Sequence, residues 1–181
     1  GKLKELRKLY VSENELTSLP SEIGQLANLE ELDLSYNDLN DPPAEIGNLT
    51  KLRDLYLAHN NIKRLPPEIG QLANLTDFYM DDNLLSSFEL KAGNQLKKVL
   101  YLGLARNQLV NLPPAIGEMT SLEALYLNNN KLNSVPESIG QLQNLAFLDL
   151  SENQLSNLPT TITSLQKLEG LNLYGNQLER L

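Results

Sequence analysis

Eight asparagines set the architecture of this chain. Asn14, Asn37, Asn60, Asn83, Asn107, Asn130, Asn153 and Asn176 recur every 23 residues, with a single step of 24 between Asn83 and Asn107. Around each lies the pattern LxxLxLxxNxLxxLPxxIGxLxxL, in units that begin at Leu6, Leu29, Leu52, Leu75, Val99, Leu122, Leu145 and Leu168. A period of this length marks a stacked array, in which one unit cannot bury its apolar face alone and neighbours bury it together. The 42 leucines among 181 residues supply that shared core.

Each position in the unit has a physical task. The alternation L-x-L has the period of two expected of a strand with one buried face. A strand so short is unstable alone, so successive units must pair into a parallel sheet with strands about 4.8 Å apart. The asparagine amide offers two donors and an acceptor to backbone groups that a turn leaves unpaired, and repetition makes an internal ladder. Pro20, Pro43, Pro66, Pro113, Pro136 and Pro159 fix φ where the chain turns back. Gly24, Gly47, Gly70, Gly117 and Gly140 permit a tight backbone before the next leucine. The stretch NLLSSFELKAGNQLKKVL (83–100) lacks the Pro-x-x-Ile-Gly signature and carries the one inserted residue, which reads as drift on a surface turn.

These residues resemble the leucine-rich repeat family over essentially the whole chain. The 23-residue LPxxIGxLxxL form is similar to intracellular Ras-group scaffolds, the repeat regions of Roco GTPases and many bacterial repeat proteins. The resemblance implies an α/β fold, a right-handed solenoid with a horseshoe arc. Short parallel strands line its concave face, turns or short 3-10 or α segments its convex side, and a protein ligand typically sits on the strands.

Four variable positions per unit point to that face. All seven tyrosines occupy them: Tyr10, Tyr36, Tyr56, Tyr79, Tyr101, Tyr126 and Tyr174. Tyrosine suits strands, yet Val, Ile and Thr suit them equally and are nearly absent here. Recognition surfaces favour tyrosine for its large contact area, polar tip and small entropy loss. The same 32 positions hold nine acids and two bases, a net of −7 against −8 for the whole chain. Glu31, Asp54 and Asp77 share one position in consecutive units and should form a column of like charge, which destabilises a sheet by up to about 1 kcal/mol per pair. A basic group from a partner would relieve it, and an arginine could also stack on Tyr56 and Tyr79.

Other functions lack support. A net charge of −8 disfavours nucleic acid and anionic membranes. There is no cysteine and no apolar run long enough for a membrane span, so a cytoplasmic location is expected. His59 is the only histidine and has no nucleophile beside it, so it makes neither a triad nor a zinc site. The carboxylates read as exposed, which argues against glycosidase chemistry, and no phosphate-binding glycine motif occurs. No cofactor and no metal is implied.

The chain opens at Leu3 and closes at Leu181 partway through units, so 1–181 reads as a single solenoid cut from a longer repeat protein. The expected function is a non-enzymatic protein-interaction module for a basic protein segment. Its expected contacts are Glu31, Asp33, Asp54, Tyr56, His59, Asp77, Tyr79 and Asp81, extended by Tyr101, Arg106, Tyr126, Phe147 and Asp149. Two alternatives remain: a structural or designed array with weak homo-association through uncapped ends, and a regulatory arm of a signalling enzyme such as a GTPase, kinase or ligase.

Overall fold

The computed structural model describes residues 3–91 and 93–180. Leu181, one of the two end markers read from the sequence, lies outside them. Eight three-residue strands form one parallel sheet in chain order: β1 (Lys8–Tyr10), β2 (Glu31–Asp33), β3 (Asp54–Tyr56), β4 (Asp77–Tyr79), β5 (Tyr101–Gly103), β6 (Ala124–Tyr126), β7 (Phe147–Asp149) and β8 (Gly170–Asn172). Register follows the repeat, with Glu31 opposite Asp54, Asp54 opposite Asp77, and Asp77 opposite Tyr101. The one inserted residue does not disturb it.

The middle residue of each strand faces inward. Leu32, Leu55, Phe78, Leu102, Leu125 and Leu148 are fully buried, as are Leu29, Leu52, Leu75 and Leu122 at the unit starts. Burial of one leucine stabilises by about 1.5–3 kcal/mol relative to leaving it exposed. Six return segments are short 3-10 helices, each entered from an extended proline, such as Pro43 (φ −70°, ψ 154°) before Ala44–Asn48. These helices bury the isoleucines Ile46, Ile69, Ile116 and Ile139 against the strands. Among the described residues, no helix is long and apolar enough to cross a membrane.

The asparagine ladder closes between units as well as within them. Asn60 Nδ2 donates to Leu57 O at 3.1 Å in its own unit and to Leu34 O at 3.0 Å in the preceding one. Its Oδ1 accepts the Leu39 N–H at 2.9 Å, also from the preceding unit. One side chain therefore satisfies backbone groups in two units, which converts a local turn into a stacking constraint.

The residue before each asparagine has positive φ: Glu13, Tyr36, His59, Asp82, Arg106, Asn129 and Glu152, between 51° and 56°. Gly175 at φ 68° fills the slot in the last unit. Left-handed backbone is unusual for such residues, and it persists here because the ladder over-determines the turn. The sequence signals it only at Gly175.

Glycines in the 3-10 helices have a different reason than turn flexibility. A Cβ on Gly47 would stand 2.5 Å from Glu68 O in the next unit, and one on Gly117 2.5 Å from Ser138 O. The next helix rests directly on the glycine. At Gly70 the nearest atom would be 3.5 Å away, because unit four has no 3-10 helix among its described residues. Its interior is filled instead by Phe78 and Phe88, ring centroids 6.5 Å apart, with Leu90 beside them.

Candidate functional site

Alternation along each strand sends the first and third residues to the concave face. In the first-residue row run Lys8, Glu31, Asp54, Asp77, Tyr101, Ala124 and Phe147; in the third-residue row run Tyr10, Asp33, Tyr56, Tyr79, Gly103, Tyr126 and Asp149. The carboxylates of this face are not fully exposed as expected. Glu31, Asp33, Asp54, Asp77 and Asp81 are all half-buried.

The column differs along its length. Glu31 is balanced by Lys8, Nζ to Oε2 2.8 Å, and hydrogen bonding from Lys8 and then Tyr10 holds its carboxyl below the usual range. Asp54 has no basic partner among the described residues. Burial raises its pKa, and the charges of Asp77 and Glu31 raise it further, against a weak hydrogen bond from Thr76 Oγ1 at 3.3 Å. Tyr56 and Tyr79 stack beside it, ring centroids 5.7 Å apart and planes within 9°. Burial first, then nearby carboxylates, pushes each phenol up to about 12, so both remain hydrogen-bond donors at neutral pH.

Not every expected contact is free. Asp33 Oδ1 accepts the Ser35 N–H, and Asp149 Oδ1 accepts both the Ser151 N–H at 2.9 Å and its hydroxyl at 2.6 Å. Both carboxylates hold turns, and Asp149 Oδ2 also accepts from Asn172 Nδ2. His59 stacks on Tyr36 at 4.1 Å, and its Nε2 lies 3.5 Å from Asp82. Arg106 reaches the same Asp82 oxygen at 3.6 Å. Asp81 Oδ1 accepts the Ala105 N–H at 2.9 Å, and burial raises its pKa.

Beyond unit four the face becomes aromatic. Tyr126 and Phe147 meet at 5.5 Å with planes tilted 46°, and Tyr101 hydroxyl reaches Glu123 Oε2 at 3.4 Å. Glu123 and Thr76 lie outside the four outward slots and were missed by slot counting; both sit one residue before an outward slot, at the edge of the face. Among the described residues, no group of three or more His, Cys, Asp or Glu side chains is placed to hold a metal ion.

Comparison with known proteins agrees with this architecture. The family model for a leucine-rich repeat region matches residues 1–83 and 80–180. A leucine-rich repeat protein of Leptospira interrogans is 36% identical over 99% of this chain and 52% of its own, with TM-score 0.73. An internalin of Listeria monocytogenes is 29% identical over 99% of this chain and 51% of its own, with TM-score 0.86. The plant peptide hormone receptor RGFR1, in complex with RGF2, is 33% identical over 96% of this chain and 29% of its own, with TM-score 0.87. The chain thus spans about half the length of the two bacterial proteins and under a third of the receptor. No curated protein sequence matches it. With eight in-register strands, a continuous asparagine ladder and a family model matched along nearly its full length, the chain belongs to the leucine-rich repeat family.

Proposed function

We propose that this solenoid is a non-enzymatic protein-interaction module that docks a basic segment of its partner on the concave face. The observation that carries the reading is the stacked pair Tyr56–Tyr79 set against Asp54 and Asp77, a carboxylate pair in register with no base of its own among the described residues. Like charge in adjacent strands works against the sheet, and a flat aromatic pair beside it offers area to a cation. The related receptor structure with RGF2 is consistent with peptide docking on such a scaffold. The segment that binds would lie along Glu31, Asp54, Tyr56, Asp77 and Tyr79, with Tyr101, Tyr126 and Phe147 as apolar anchors. His59, Arg106, Asp33 and Asp149 serve this face by bracing it.

The test compares the parent chain with a variant in which Asp54, Tyr56, Asp77 and Tyr79 are replaced by Ser, after circular dichroism shows that both melt alike. Retention of a protein by the parent alone, reversed by added salt, is the expected result. Equal retention by both would overturn the reading.

A further inference from the structure

The flank where the chain enters its strands carries charge opposite to that of the concave face. Two repeat positions define this flank. The residue before each unit start runs Asn28, Lys51, Asn74 and Lys98, and two residues further on the row runs Glu30, Arg53, Thr76 and Leu100. Backbone hydrogen bonds hold the second row in register: the Arg53 N–H donates to Glu30 O at 2.8 Å, and the Thr76 N–H to Arg53 O at 2.7 Å.

Side chains hold the first row. Asn28 Nδ2 donates to Lys4 O at 2.9 Å, and its Oδ1 accepts from Lys51 Nζ at 2.6 Å. Asn74 repeats the arrangement, with Nδ2 on Thr50 O at 2.8 Å and Oδ1 accepting from Lys98 Nζ at 2.8 Å. Each amide positions an ammonium without neutralising it. Lys51, Arg53, Lys97 and Lys98 are exposed, and none of them pairs with a carboxylate among the described residues. Strands about 4.8 Å apart place the backbones of Lys51 and Lys98, two units apart, roughly 10 Å from each other.

The same flank supplies its own contrast. In the last unit Lys167 Nζ again donates to an asparagine, Asn144 Oδ1, at 2.7 Å. There, however, Glu123 and Glu169 line the recess around the pair. Toward the other end Arg7 meets Glu30 through two nitrogens, at 2.9 and 2.8 Å, and neutralises it. Positive charge on the flank is unopposed only from Lys51 to Lys98.

We propose that the flank formed by Lys51, Arg53, Lys97 and Lys98 is a second docking surface, for an acidic segment of a protein partner. It does not depend on the docking of a basic segment on the concave face. Three residues of extended chain at about 3.3 Å each span the distance between Lys51 and Lys98, so a short run of Glu or Asp reaches both. A nucleic acid fits this surface poorly. Its charge continues beyond the patch toward Glu123 and Glu169, and both Asp54, the residue after Arg53, and the net charge of −8 repel it.

The probe is the capped peptide acetyl-Gly-Glu-Glu-Glu-Glu-Gly-amide, titrated into the labelled full chain while backbone amide shifts are followed. A short oligothymidylate serves as the competing polyanion. The peptide should shift the Lys51, Arg53 and Lys98 amides saturably and leave the Lys167 amide still. Lys51→Glu combined with Lys98→Glu should weaken the peptide by about tenfold, and Lys51→Gln combined with Lys98→Gln by about threefold. The neutral pair keeps the test decisive should the reversed pair fold poorly. Equal shifts at Lys167, affinity that survives the neutral pair, or no shift at all overturns the surface. Tighter binding of the oligothymidylate at the same amides would replace the acidic segment by a nucleic acid and overturn it as well.

Discussion

The fourth unit contains one residue more than its neighbours, and the two sides of the solenoid respond differently. On the asparagine side nothing changes. Asn107 Nδ2 reaches Met80 O at 3.0 Å across 27 residues, whereas Asn83 and Asn130 each reach back 26 residues at 2.9 Å. On the convex side the described residues of that unit form no 3-10 helix, and the nearest atom to a Cβ added on the preceding glycine moves from 2.5 Å at Gly47 to 3.5 Å at Gly70. The ladder links backbone groups of adjacent units, so slack there would orphan buried donors and acceptors. The return segment serves only to cover the core, and Phe88 and Leu90 cover it without a helix. Register of the concave face depends on the first side alone.

The largest test of that contrast removes a rung. Asn60→Ala strips the amide from Leu34 O, Leu57 O and the Leu39 N–H, all buried. The loss should be about 3 kcal/mol in urea unfolding. Asn107→Ala, at the irregular unit, should lose as much. A much smaller loss at Asn107 would mean that the insertion does weaken the ladder.

A smaller effect separates the two convex positions. Gly47→Ala forces the Cβ against Glu68 O and Glu68 Cβ and should destabilise by roughly 2 kcal/mol. Gly70→Ala meets only Asn94 Cβ at ordinary contact distance and should be neutral or slightly stabilising. Equal melting shifts for the two variants would show that the glycines are needed for their backbone conformation, and not because the next unit rests on them.

The contrast also explains what could be read from the sequence. Leucine and asparagine spacing specified the strands, their order and their register, because those residues act identically in every unit. The positive φ before each asparagine is signalled only by Gly175, since Tyr36, His59 and Arg106 carry none of the glycine signature and the conformation is imposed by the ladder. On the concave face the rows were legible, but the pairing within them was not. That Asp33 and Asp149 bond their own turns while Asp81 accepts the Ala105 N–H of the next unit depends on side-chain rotamers and on a single glycine at position 103.

The smallest effect lies on that face, where the column should split by sign. Asp54 binds its proton more tightly in the folded chain than in the unfolded one, because burial and the charges of Asp77 and Glu31 raise its pKa. Stability therefore falls as pH rises from the unfolded carboxylate value through the folded one, and the penalty is complete at pH 7. Asp54→Asn should stabilise the chain at pH 7 by about 0.5 kcal/mol, a gain that vanishes as acid protonates the parent. Glu31 is the opposite case: Lys8 lowers its pKa, so its contribution is present above the unfolded value and is lost as pH falls through the folded one. Glu31→Gln should accordingly destabilise at pH 7 and be silent in acid. Thermal melts of both variants between pH 3 and 7, within the carboxylate range, decide the matter. If both destabilise at pH 7, the column is a structural network; if they split by sign, Asp54 carries a strain that a bound cation would relieve.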